Sequence, residues 1–390
     1  MKLPVYLDHA ATTPVRPEVV EAMLPYFTRS FGNPASLYGV GMEAREGVEE
    51  ARALVAEALN ASPDEIVFTS GGTESDNTAL WGVAQANKAK GRHFLTTPIE
   101  HHAVLEPLET LARNGWELEI LPVDFQGWVS PEEVARRIRP DTLLVSVMHG
   151  NNEIGTLQPI AAIGALCRER GVFFHTDAVQ TFSKVPLDVR AMKIDLLSLS
   201  SHKLYGPKGI GALYVRRGTP LARFQEGGEQ EKGRRGGTLN VPGIVGLGRA
   251  TQIAMQELET EAKRLTALRD RFFERLKATI AGVHISGHRS ERMPNNIHFC
   301  VEGVQGEALL LSLDAAGICA SAGSACSSGS TEPSHVLTAI GVPRERARGA
   351  LRLTLGASTT EEALDYTLET LESIVRDLRG LAQRSAVAVA

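Results

Sequence analysis

Cysteine is scarce in this chain. Only Cys167, Cys300, Cys319 and Cys326 occur among 390 residues, and no two form a Cys-x-x-Cys pair. That spacing excludes a disulfide framework and the usual zinc-ribbon patterns, and it fits a reducing cytoplasm. Long hydrophobic runs are also missing. The opening Met1-Lys2-Leu3-Pro4-Val5-Tyr6-Leu7-Asp8 has no apolar core of signal-peptide length, and no later segment nears the ~18 apolar residues of a membrane span. Charge of one sign is absent too: the net charge is −5, with 22% charged residues. Nothing there suggests capture of nucleic acid or of an anionic membrane. The phosphate-binding signatures Gly-x-x-x-x-Gly-Lys-Ser/Thr and Gly-x-Gly-x-x-Gly are not found, which argues against a nucleotide site.

What the chain does contain is a strict alternation. Apolar runs at Ile66–Thr69, Phe94–Thr97, Glu119–Val123, Leu143–Met148, Val172–His175, Leu196–Leu199 and Gly211–Val215 read as strands, separated by amphipathic stretches. Ser130-Pro131-Glu132-Glu133 carries the start signals of one intervening helix. The pattern predicts an α/β fold with a mainly parallel sheet covered by helices on both faces. After Gly248, Leu258, Leu265, Leu268, Phe272 and Leu276 recur at helical spacing, in a long charged helix suited to bridging two domains. Asn296–Val301 and Leu351–Leu355 read as strands of a smaller α+β unit. A last helix, begun at Thr359-Thr360-Glu361-Glu362, follows them.

The chemistry-bearing residues fall just after these strands. Lys203 lies in Ser198–Gly209, where an apolar run meets hydroxyls, a histidine and a Gly/Pro turn. Partial desolvation there would favour the neutral, nucleophilic amine; a surface lysine in a turn is the plainer alternative. Thr69–Asn77, with Gly71, Gly72 and Thr73, opens a helix whose N-terminal amides could cradle a phosphate, helped by Ser200 and His202. Asp177 could hold a heteroaromatic nitrogen protonated or simply cap a helix, and Gln180 could donate to a nearby oxygen. His101 could stack on a flat ligand or move protons. Asn152 adds an amide after another strand. Cys326 stands in the small-residue run Ala320–Ser330, a setting of access rather than packing, whereas Cys167, Cys300 and Cys319 sit in apolar patterns. Arg352, on an apolar strand, suits either a carboxylate ligand or a structural ion pair.

Taken with Tyr6–Pro14, Phe31–Pro34, Glu100–His102, Asn151–Thr156, His175–Gln180, Gly237-Thr238 and Glu332–His335, these segments resemble the cysteine desulfurases nearly end to end. That family comprises pyridoxal-phosphate enzymes of the class V aminotransferase group, with an aspartate-aminotransferase-type fold. The Gly-Ser-Ala-Cys-Ser-Ser run resembles the subgroup with a long, mobile cysteine loop.

The resemblance implies a large domain at 15–258 and a small domain at 1–14 and 259–390, with the cysteine loop at about 321–335. It implies Lys203 as the Schiff-base lysine, Asp177 at the pyridine nitrogen, Gln180 at the ring hydroxyl and His101 stacked on the ring. Gly72, Thr73, Ser200 and His202 would hold the phosphate, with Thr238 supplied by the partner subunit of a homodimer. Asn152 and Arg352 would bind L-cysteine. Cys326 would take its sulfur as a persulfide and pass it to an iron–sulfur scaffold or other acceptor protein, with alanine released. Glycine at position 236 departs from a family preference for serine before Gly-Thr. A selenocysteine lyase, another class V aminotransferase and a catalytically silent scaffold remain as alternatives.

Overall fold

The computed structural model describes residues 3–322 and 333–389, so Cys326 lies outside the described residues. Seven strands form the main sheet: β1 (Ile66–Thr69), β2 (His93–Thr96), β3 (Glu117–Ile120), β4 (Thr142–Ser146), β5 (Phe173–Asp177), β6 (Leu196–Ser200) and β7 (Gly211–Val215). Their order is β1-β7-β6-β5-β4-β2-β3. Every neighbouring pair is parallel except the two that β7 makes, so one strand alone is reversed. The expected strands are all present; in the main sheet Ile66–Thr69 and Gly211–Val215 match, and the others differ at one or both ends by one to three residues.

Helices cover both faces. On one, Val48 and Val55 of α1 (Gly39–Ala58), with Leu59 just after it, pack with Phe174, Leu197, Leu199 and Tyr214. On the other, Leu80 and Val83 of α2 (Gly72–Ala86) and Leu108 and Leu111 of α3 (His102–Arg113) meet Phe94, Leu144 and Leu213. Strands this thoroughly buried need the continuous apolar runs seen in the sequence. A buried ion pair fastens the first face: Arg52 of α1 donates to both carboxylate oxygens of Glu231, at 2.8 and 2.9 Å, and Glu231 also accepts from the Phe68 amide.

A second core forms around a three-stranded antiparallel sheet of β8 (Val283–Ile285), β9 (Asn296–Val301) and β10 (Ala350–Thr354). Strand β8 gave no sequence signal because it is short and only half-buried along its length. Helix α4 (Val241–Thr279) spans 39 residues and contributes to both cores. It begins well before Gly248, capped by Asn240, whose side chain accepts from the Gly243 amide. Its early glycines disguise the start, and they mark close approach: a Cβ at Gly248 would lie 2.6 Å from the Ala51 backbone. Helix α5 (Glu361–Val389) closes this core with Leu364, Leu368 and Leu371, and Thr360 accepts from the Ala363 amide at its start. The N-terminal Val5–Tyr6 pairs in parallel with Ile318–Cys319, carrying Asp8 to Ala11 over the sheet's C-terminal edge. No helix among the described residues is long and apolar enough to cross a membrane.

Candidate active site

Because β1, β2, β4, β5 and β6 point the same way, the segments that follow them converge on one rim of the sheet. There they enclose a cavity of about 270 Å³. Ten of the residues expected from the sequence line it: Gly72, Thr73, His101, Asn152, Asp177, Gln180, Ser200, His202, Lys203 and Arg352. Two do not. Thr238 is exposed after the strand Arg235–Gly236, away from this chain's own cavity, and Cys326 lies outside the described residues.

Lys203 ends the short turn Ser201–Lys203 that follows β6. Its Nζ donates to the carbonyls of Ala10 and Ala11 at 2.6 and 2.7 Å, so it faces the cavity and not bulk solvent. Behind it, Lys184 donates to the Lys203 carbonyl at 3.1 Å; burial and the Lys203 charge push the Lys184 ammonium down to about 7. Gln180 donates to the same Ala10 carbonyl at 2.9 Å, leaving its Oε1 buried without a partner among the described residues.

Asp177 terminates β5 and accepts from the Val179 amide at 2.8 Å. Burial lifts its carboxyl to about 6, against the pull of that amide and of Lys203. Asp76, buried on α2, lines the same cavity and was not recognised from sequence. Burial and the Asp177 charge raise its carboxyl well above the ordinary range. Two enclosed carboxyls that repel each other cannot both ionise cheaply. Both carboxyls are raised, Asp76 by burial and by the charge of Asp177, Asp177 chiefly by burial.

His101 caps α3, its Nδ1 accepting from the Ala103 amide at 3.1 Å. Burial and the Lys203, His102 and His335 charges push it down to about 4, so the ring is neutral at pH 7 and its proton sits on Nε2. His202 is likewise depressed to about 4, mainly by burial, and its Nδ1 lies 3.1 Å from the Thr12 hydroxyl. Helix α2 starts at the Gly71–Gly72 turn with no side-chain cap, which leaves its first amides open toward the cavity. Gly71 has φ +155°, and a Cβ at Gly72 would come 2.6 Å from Val179 Cγ2. Gly71 requires glycine by its backbone, and a side chain at Gly72 would have to displace the Val179 methyl.

The sequence profile of the class-V aminotransferases matches residues 5–367. The chain belongs to this family. Class-V aminotransferases work with pyridoxal phosphate, and the class-V residues here suit that group: an uncapped glycine turn flanked by Thr73, Ser200 and His202 for a phosphate, a carboxylate and an unpaired amide oxygen for a polar ring, and an amine for an aldehyde.

Among curated relatives, the "Cysteine desulfurase IscS" of Dictyoglomus turgidum is 52% identical, over 98% of this chain and 97% of its own. That of Methanosarcina thermophila is 53% identical, over 97% and 93%. Among solved structures, a "NIFS-LIKE PROTEIN" superimposes with TM-score 0.90 at 40% identity, covering 96% of this chain and 100% of its own. "SspA in complex with cysteine" gives 0.80 at 38%, covering 90% and 98%.

Arg352 answers the question its sequence left open by doing two things at once. It is fully buried on β10, paired with Asp8 at 2.8 Å and donating to the Asn152 carbonyl at 2.9 Å, yet it also lines the cavity. Asn151, by contrast, satisfies its own loop and the Ile99 carbonyl, the ordinary fate of a loop asparagine. Cys167 and Cys300 are buried in apolar surroundings that push their thiols up, Cys300 to about 11.

Proposed function

We propose that this chain is a pyridoxal-phosphate-dependent cysteine desulfurase, releasing alanine from L-cysteine and retaining the sulfur on Cys326. The observation that carries the reading is the single cavity in which Lys203, Asp177, neutral His101 and Arg352 meet. Relatives about half identical over nearly the whole length bear that name.

Pyridoxal phosphate, when bound, supplies an aldehyde for a lysine amine and a ring that withdraws electrons from the substrate's carbon. Lys203 would hold the aldehyde and later carry protons at its Nζ. Asp177, as the anion, would keep a proton on the ring nitrogen, and Gln180 would bond the ring hydroxyl. His101, with its Nε2 proton, would stack on the ring and donate or accept at substrate atoms. Gly72, Thr73, Ser200 and His202 would bind the phosphate, and Asn152 and Arg352 would fix the substrate carboxylate. The Cys326 thiolate would then form a new S–S bond to the substrate sulfur as the C–S bond breaks, its electron pair staying with the substrate's carbon. Inert surroundings at Cys167 and Cys300 support assigning the nucleophile to Cys326.

Two copies of the chain would pair. Support comes from exposed apolar side chains concentrated at Phe27, Phe31, Leu37, Tyr38 and Met42, and from the exposure of Thr238, which the partner's cavity would use. Separate cores around the main and small sheets support the division into 15–258 and 1–14 with 259–390. The sulfur would pass to an iron–sulfur scaffold or other acceptor protein in the cytoplasm.

Purified protein given L-cysteine and a reductant should release alanine and sulfide in equal amounts. Cys326→Ser should abolish both while the cofactor's visible absorbance persists. Undiminished turnover by that variant would overturn the nucleophile assignment.

A further inference from the structure

Arg352 has five N–H donors, and their engagement is uneven. Nη1 donates to the Asn152 carbonyl and Nη2 to Asp8 Oδ1 at 2.8 Å. Nε, on the same edge as Nη2, is buried without a partner among the described residues. A carboxylate gripped side-on by a guanidinium uses that edge, taking one bond from Nε and one from Nη2. Of that edge, Nη2 is therefore held by a carboxylate of the protein itself, while Nε is uncommitted in a residue that lines the cavity.

Asp8 cannot easily leave. Its neighbours are tied to β10: the Thr354 amide donates to the Leu7 carbonyl at 2.7 Å, and the Ala10 amide donates to the Thr354 hydroxyl at 2.8 Å. The Asp8 side chain is 17% exposed and that of Arg352 only 2%, so solvent screens the pair weakly. An arriving carboxylate meets one guanidinium already neutralised by one anion.

We infer that Asp8 is a resident competitor for Arg352, setting how tightly the site holds the carboxylate of an amino acid and easing release of the product. This rests on the reading of Arg352 as the carboxylate-binding residue. Asn at position 8 would keep an oxygen for Nη2, and so the orientation of the guanidinium, while removing the opposing charge.

The test compares holoenzymes by equilibrium titration with L-alanine and with L-alaninamide, its neutral-carboxyl counterpart. Asp8→Asn should tighten L-alanine about five-fold or more, a change of about 1 kcal/mol, and leave L-alaninamide nearly unmoved. The KM for L-cysteine should fall in parallel. L-Alanine binding that is unchanged or weaker in this variant overturns the inference, because Asp8 would then only position Arg352. Should Asp8→Asn not fold, the wild-type preference for L-alanine over L-alaninamide decides: below about thirty-fold supports a tempered fork, above it overturns one. Arg352→Gln separates the two readings. Loss of L-alanine binding there upholds the site, whereas full retention would sink the carboxylate role of Arg352 and the competitor with it.

Discussion

His175 Nε2 lies 3.5 Å from Asp76 Oδ1, and the imidazole is buried behind the cavity that Asp76 and Asp177 line. The same imidazole bridges the hydroxyls of Ser146 and Ser198, at 2.8 and 3.1 Å, across three adjacent strands. Burial pushes His175 down to about 3, so the ring is neutral and contributes no charge to the site. Asp76, its carboxyl raised by burial and by the Asp177 charge, and the neutral base His175 together form a polar floor beneath Asp177.

That arrangement predicts an asymmetry between two aspartates. Asp76→Asn copies a protonated acid and should change pyridoxal-phosphate affinity by no more than about three-fold. Asp177→Asn removes the anion and should weaken it at least about ten-fold, with a shifted visible spectrum. Cofactor titration of apoprotein followed by absorbance checks both. An infrared band of a protonated carboxyl, lost in Asp76→Asn, would report the proton directly.

Buried titratable groups also shape stability against pH in the cofactor-free protein. His149, His175 and His298 are held near 4, 3 and 3 by burial, with His298 further lowered by Arg292 and Arg352. A histidine with a depressed folded-state pKa lends stability above its unfolded value, about 6.5, and loses it as pH falls toward the folded value. Glu100 is raised to about 8 and Asp177 to about 6, chiefly by burial. Their contribution has the opposite sense, complete below about pH 4 and lost as pH rises through 6 and 8. Taken by themselves, these groups favour a maximum of the apoprotein's Tm near pH 6 to 7, with Lys184, lowered to about 7, opposing the decline above pH 7. Thermal scans should show a flatter acid limb in His149→Gln and a flatter alkaline limb in Glu100→Gln.

The Arg52–Glu231 pair offers a stability test far from the cofactor. Glu231→Ala takes the two-bonded partner from the buried Arg52, leaving it Glu49 and the Ile66 carbonyl, and strands the Phe68 amide, at a cost of up to about 3–5 kcal/mol. Replacing both partners, Arg52→Met with Glu231→Leu, should cost clearly less than Glu231→Ala alone, since no charge is left unpaired. Urea unfolding midpoints of the variants measure this.

Much of the fold was legible because the main strands are buried on both faces and carry unbroken apolar runs. Lys203, Asp177, His101 and the Gly71–Gly72 turn were legible for a related reason: each ends or follows such a strand, and parallel strands bring their C-terminal ends together. Asp8 and Asp76 lay inside recognised segments but gave no sign of their work. Asp8 meets Arg352 across 344 positions of sequence, and the raised carboxyl of Asp76 depends on burial beside Asp177; neither relation has a local pattern. Strand β8 was lost to its brevity, and the start of α4 to its early glycines, of which Gly248 meets α1.

Helix α4 has one more consequence. At 1.5 Å per residue its 39 residues reach about 58 Å, and its first half is seated under the main sheet while its second half is seated under β9 and β10. A gene cut anywhere within it would give each fragment half a rod with its greasy stripe bare. Neither fragment should stay in solution by itself, and the two should recover colour with added vitamin only when they are refolded together.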